Sequence, residues 1–99
     1  MIKLGRFTRL DVRPGKEKEV ETFLRNASVQ VSDEEPGTEV WFAVKLGPST
    51  FGIFDGFPDD ERRAVHQSGH VSHALAAKAT EWFTHPPVVD KFAVVAGKK

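Results

Sequence analysis

The stretch from Thr50 to Leu75, TFGIFDGFPDDERRAVHQSGHVSHAL, decides how the rest of the chain is read. Thr50 to Phe57 alternates, with Phe51, Ile53, Asp55 and Phe57 on one face and Phe54 on the other, which is the period of a strand. Pro58 breaks the strand, and Asp59-Asp60-Glu61 supplies the acidic first turn that a helix favours. That helix brings in His66 and is interrupted at Gly69. It resumes past His70 and His73 with Val71, Ala74, Leu75, Ala79 and Trp82 roughly on one face. His85-Pro86-Pro87 stops it near Phe83. An acid on a strand, an aromatic two residues on and histidines on the next helix can converge on one pocket, so function is sought there.

Upstream, Thr38 to Leu46 is a second alternating run. Val40, Phe42, Val44 and Leu46 face one way, and Glu39, Trp41, Ala43 and Lys45 the other. The short Gly47-Pro48-Ser49 turn makes it a hairpin with the Thr50 strand. Before it, Ser32 to Gly37 (SDEEPG) reads as a turn. Lys16 to about Val31 carries Val20, Phe23, Leu24, Ala27 and Val31 as one helical stripe, opposite a solvated face of charges. Ile2 to Val12 alternates as a first strand, ended by Arg13-Pro14-Gly15. Its apolar face, Ile2, Leu4, Leu10 and Val12, is interrupted by Arg6 and Thr8. Downstream, Val88 to Ala96 is a last strand, apolar on both sides. The order is β-α-β-β-α-β, which predicts an α+β domain with a four-stranded antiparallel sheet and its helices on one face.

The whole chain, 1–99, is one domain, with Gly97-Lys98-Lys99 as a frayed tail. Hydrophobic content of 39% and charged content of 28% are those of a globular protein. Lys+Arg and Asp+Glu balance at 14 each, which gives no electrostatic case for nucleic acid or an anionic membrane. No apolar run has a bilayer-spanning length, and the start, MIKLGRFTRLDV, has neither the apolar core nor the cleavage site of a secretion signal. With no cysteine, disulfides and thiolate chemistry are excluded, and a cytoplasmic location is expected.

Too many apolar residues lie on the sheet's second face for the few helices available. Two accounts are open: a second copy of the chain covers that face in a two-fold homodimer, or Trp41 and Phe54 are scattered surface aromatics.

In this order and spacing the chain resembles the antibiotic biosynthesis monooxygenase (ABM) domain family of the dimeric α+β barrel superfamily. The resemblance rests on Val12-Arg13-Pro14-Gly15-Lys16 before an acidic helix, on Glu35-Pro36-Gly37-Thr38 before the second strand, and on Phe51 to His70. The last is the most specific, with an acid on the third strand, an aromatic two residues later, and a helical His followed by another four residues on. The resemblance implies a ferredoxin-like fold, a dimer whose sheets form a barrel, and a pocket between sheet and helices in each subunit. Characterised relatives oxidise quinols or polyketide phenols with molecular oxygen and no metal or flavin. A related branch binds and degrades haem.

Two departures stand out. Asp55 replaces the family's more usual glutamate, and Phe57 replaces its usual Trp or Tyr. The haem-degrading branch also uses an Asn on the first strand and a Trp on or after the third, where this chain has Arg6 or Thr8 and Phe57.

His66 has two open roles: base toward a phenolic or enolic substrate, or a structural hydrogen bond to Asp55. His66 and His70 would share a face of a continuous helix, but Gly69 breaks the register and no third ligand has an identifiable spacing, so no metal is expected. A cofactor-free oxygenase needs polar groups in an apolar pocket, to take a proton and hold the resulting anion beside oxygen. Arg6, Thr8, His66 and Asp55 are the candidates, with Trp41, Phe42, Phe51, Phe57 and Trp82 as walls and His70 nearby. Arg6 also has a plainer account, as an edge cation with a snorkelling stem. The expected activity is monooxygenation of a small aromatic or quinol-type molecule without cofactor. The rival is a non-catalytic dimeric ligand-binding or stress-response protein of the same fold.

Overall fold

The computed structural model describes residues 2–98, so Lys99, the end of the expected tail, lies outside the described residues. The elements are β1 (Leu4–Asp11), α1 (Glu17–Glu34), β2 (Val40–Gly47), β3 (Thr50–Phe57), α2 (Asp60–Gln67), α3 (His70–Trp82) and β4 (Val88–Ala93). The strands form one antiparallel sheet in the order β2-β3-β1-β4, the ferredoxin-like α+β arrangement. The interrupted helix is two helices. Asp59 caps α2 by accepting from the Arg62 N–H at 2.9 Å, and Gly69 is the N-cap residue of α3.

Three boundaries differ from the sequence reading. Helix α1 runs on through Ser32, Asp33 and Glu34, where the sequence predicts a turn. A Gln30–Glu34 hydrogen bond of 3.1 Å supports the extra turn, and Pro36 then ends the helix. Strand β2 starts at Val40 because Thr38 is occupied closing the turn onto Glu35. Strand β4 ends at Ala93 because its neighbour β1 begins at Leu4, leaving one further bond, from the Val94 N–H to the Lys3 carbonyl at 2.8 Å.

The core lies between the sheet and the helices. Leu10, Val12, Phe51 and Ile53 from the strands meet Val20, Leu24, Trp82 and Phe83, and a second cluster of Ala27, Val31 and Val71 continues it toward α2. The Trp82 indole keeps its polar edge satisfied by donating to Glu19 Oε2 at 3.2 Å. Gly15 has φ +91°, which lets the turn after β1 drop into α1. Gly5 answers a different need: a Cβ there would collide with the Asp55 carbonyl oxygen and the Phe92 ring, so glycine lets β1 lie against β3 at Asp55.

Among the described residues, no helix lies on the other sheet face. Phe54 and Phe92 stack there with ring centroids 5.2 Å apart, and Phe42, Val44 and Leu46 are 60%, 37% and 50% exposed. Trp41, one of the two residues proposed as a surface aromatic, points the other way, into the helix side. It pairs with buried Asp55 in the β2–β3 register, and neighbouring strand residues face opposite sides. No helix among the described residues is long and apolar enough to cross a membrane.

Candidate functional site

Buried within the helix side is a chain of three ionisable groups. His66 Nε2 lies 2.9 Å from Asp55 Oδ2, and His66 Nδ1 lies 2.6 Å from Glu35 Oε1. Asp55, His66 and Glu35 are 1%, 4% and 7% exposed. A carboxylate that is ionised only accepts, so with both acids ionised both ring nitrogens donate and His66 stands as an imidazolium between two anions. Burial opposes that charge, but the hydrogen bonds and charges of Asp55 and then Glu35 outweigh it and raise the His66 pKa above its ordinary 6.5. His66 also lies in the last turn of α2, where a cation meets the helix dipole favourably.

Each partner is placed by local sequence. Asp55 sits on the inward face of β3 by strand alternation. Glu35 is fixed by the turn that ends α1: its N–H donates to the Val31 carbonyl at 2.9 Å, and the Thr38 N–H donates to its carbonyl at 3.0 Å. Thr38 Oγ1 donates to Glu35 Oε1 at 3.0 Å, which turns the carboxylate toward His66. A Cβ on Gly69 would stand 2.8 Å from Glu35 Oε2, so the glycine between α2 and α3 leaves room for this carboxylate. Ser72 completes the ties by donating its hydroxyl to the His66 carbonyl at 2.9 Å.

Beside this triad is a cavity of about 170 Å³, lined by Arg6, Thr8, Trp41, Asp55 and His66 together with apolar side chains of β3, α3 and the start of β4. Asp55 Oδ1, Arg6 Nε and Trp41 Nε1 are buried and have no hydrogen-bond partner among the described residues. An unpaired buried polar atom costs about 1–3 kcal/mol, and native proteins tolerate few. Here one acceptor and two donors of this kind belong to residues on one cavity wall. Arg6 pairs with Asp55 in the β1–β3 register, and Trp41 pairs with it in the β2–β3 register. Desolvation lowers the Arg6 pKa, the Asp55 charge raises it, and Arg63 lowers it again; the net shift is downward. A guanidinium nonetheless stays charged.

Of the candidate residues, His66, Asp55, Arg6, Thr8 and Trp41 come together at this cavity, and the others do not. Phe57 packs on the His66 ring at 5.4 Å between centroids and so backs the histidine. Phe51 and Trp82 belong to the main core. Phe42 faces outward, because it follows inward-facing Trp41 on a strand. His70 is exposed beyond the Gly69 break and pairs with Glu34 at 2.8 Å. Glu35 was missed as a site residue and read only as part of a turn. The signal was available: adding four to the buried stripe Val20, Leu24, Ala27, Val31 lands on Glu35, an acid in an apolar series.

The solved structure of NE2512, a protein of unknown function from Nitrosomonas europaea, is 41% identical over 100% of this chain and 95% of that one, with a TM-score of 0.93. The chain belongs to that protein's family. Its fold is the ABM fold. A candidate antibiotic biosynthesis monooxygenase from Caulobacter crescentus is 18% identical with a TM-score of 0.83, covering 96% of this chain and 92% of that one. Rv0793 from Mycobacterium tuberculosis is 15% identical with a TM-score of 0.82, covering 97% of this chain and 98% of that one. At those identities the likeness is one of fold. No family model and no curated protein matches the chain.

Proposed function

We propose that the chain is a cofactor-independent monooxygenase that oxidises a small aromatic or quinol-type molecule with molecular oxygen. What carries the proposal is Asp55, a buried carboxylate on the wall of an apolar cavity that also holds the Arg6 cation, with its Oδ1 left without a hydrogen-bond partner among the described residues. A substrate hydroxyl would donate to Asp55 Oδ1 and pass its proton there, while Arg6 stabilises the anion that forms. His66 is not the proton acceptor in this scheme, because both its nitrogens already donate. It holds Asp55 in place and keeps its second oxygen occupied.

The oxidation balances without a further reductant. A hydroquinone and one O₂ give a hydroxyquinone and one water. The substrate supplies all four electrons. A ring carbon exchanges its C–H bond for a C–O bond, the O–O bond breaks, and the second oxygen leaves as water. The direct test is oxygen uptake by the purified protein with hydroquinones and phenols, where a rate above the protein-free control supports the proposal and a flat trace across the panel overturns it.

A second copy of the chain on the helix-free sheet face is part of the same proposal, supported by the exposed Phe42, Val44 and Leu46 beside the Phe54–Phe92 stack. A cytoplasmic location, expected from the cysteine-free sequence, is kept with it. One observation favours the rival, a non-catalytic ligand-binding or stress-response protein: His66 is bonded on both sides as a structural tie would be. A binder of that kind would gain thermal stability from its ligand with no oxygen consumed.

A further inference from the structure

We infer, resting on the substrate site proposed above, that its ligand is an organic acid, held by its carboxylate between Arg6 and Lys91. Register brings these two cations together. Arg6 and Lys91 stand directly opposite each other in the β1–β4 pairing. Arg6 lines the cavity, so both side chains leave the sheet on its helix side. Residues opposed in this way have Cβ atoms about 4.5–5.5 Å apart, and like charges so placed destabilise a sheet. The neighbouring pairs on that face, Leu4 with Ala93 and Thr8 with Val89, carry no charge.

The acids nearby are already engaged. Asp55, opposite Arg6 on β3, gives Oδ2 to His66 at 2.9 Å. Asp60 is taken by Arg63 at 2.6 Å, and Arg63 reaches the same corner by donating to the Gly5 carbonyl at 3.3 Å. Neither the Arg6 nor the Lys91 side chain makes an ion pair or hydrogen bond among the described residues. Burial lowers the Arg6 pKa by more than Asp55 restores, and Arg63 adds to the deficit. A repulsive pair is left without a counter-charge.

Both cations can be reached from solvent. The terminal nitrogens of Arg6 bond to nothing and yet are not buried, unlike its Nε, so they are a part of this half-buried residue that meets water. The helices pack chiefly over β2 and β3, so the cavity opens along β4. There Val89, on the cavity wall, is 38% exposed, and Lys91 is exposed two residues on. A carboxylate fits this opening, since its two oxygens accept side by side from a guanidinium while its charge faces the Lys91 ammonium. Inorganic phosphate would suit the same donors. The apolar wall beside them, Pro87, Val89, Leu75 and Ala76, selects an acid with an organic body to lay against it.

Calorimetry under nitrogen separates binding from turnover. The probes are 3,4-dihydroxybenzoate, its neutral counterpart 3,4-dihydroxybenzamide, and inorganic phosphate. The wild-type chain is expected to bind the acid at least about ten-fold more tightly than the amide, and added salt should narrow that gap. Lys91→Glu changes an exposed side chain, so its Tm should match wild type while the preference for the acid is lost. Arg6→Gln should lose the preference as well and still bind the amide. Equal affinity for acid and amide in wild type overturns the inference, as does a preference that survives both substitutions. Phosphate binding as tightly as the acid, or no binding of the acid, overturns it too. Admitting air then tests the oxygenase separately. A preference for the acid with no oxygen uptake from any phenol keeps the carboxylate site and removes the oxygenase. Uptake with no such preference does the reverse.

Discussion

Replacing Glu35 by glutamine keeps the size of the side chain and removes one of the two anions that face the His66 imidazolium. Taking away one partner of a buried ion pair costs about 3–5 kcal/mol, because the remaining charge stays buried. Glutamine can still offer its carbonyl to Nδ1, and a neutral hydrogen bond returns about 1 kcal/mol. The expected loss is therefore roughly 2–4 kcal/mol at neutral pH. For a domain of this length each kcal/mol moves Tm by about 4–8 °C, so Tm should fall by at least about 8 °C at fixed protein concentration. The effect also has a pH signature. A histidine whose pKa is raised by folding contributes stability that is whole below its unfolded pKa of about 6.5 and is lost as pH rises through its folded pKa. The His66 pKa is raised in this way, so wild-type Tm should decline on the alkaline side. In Glu35→Gln that decline should begin at lower pH. Thermal melts from pH 6 to pH 9, with NMR titration of the His66 ring, measure both. A Tm within about 2 °C of wild type and an unchanged alkaline limb would refute the two-carboxylate account of His66.

Gly69→Ala would put a methyl group 2.8 Å from Glu35 Oε2, and should destabilise by about 1–3 kcal/mol and lower the His66 pKa in the same NMR titration. Gly5→Ala would drive a methyl group into the Asp55 carbonyl and the Phe92 ring; a loss of about 3 kcal/mol or more is expected by urea melts, since the backbone atom cannot step aside. Phe42→Glu charges an outward face without touching the core. If the proposed dimer forms through this face, light scattering should report twice the mass of one 11.0 kDa chain for wild type and a single chain for the variant, with the far-ultraviolet circular dichroism unchanged.

The element order and the inward face of β3 were legible because strand alternation and the helical stripe are local properties, whereas which face of β2 turns inward was not: Trp41 lies on the helix side, and Phe42, Val44 and Leu46 face outward. Phe51, Ile53, Asp55 and Phe57 share a buried face as their spacing requires. The boundaries that shifted depend on contacts between distant residues, such as Thr38 closing onto Glu35 and β4 running out of β1 to pair with. At the site, the pairing of His66 with Asp55 could be read from strand and helix order. Glu35 could not be assigned from charge pattern, since an acid near a helix end is more often solvated. What buries it is the continuation of a stripe that starts at Val20, together with the Gly69 opening. Trp41 and Phe42 are neighbours on β2, so their side chains turn to opposite sheet faces, and only Trp41 reaches the cavity beside Asp55.

The most direct test of the central claim is the oxygen-electrode rate with 1,4-dihydroxybenzene for wild type and Asp55→Asn, side by side, after melts have shown both to be folded. Asparagine keeps the shape at the cavity wall and cannot hold the hydroxyl proton. The account predicts uptake above the protein-free rate for wild type and a loss of about 100-fold or more in the variant, the scale of a missing general base. Equal rates in the two proteins, or no uptake by wild type, would contradict it.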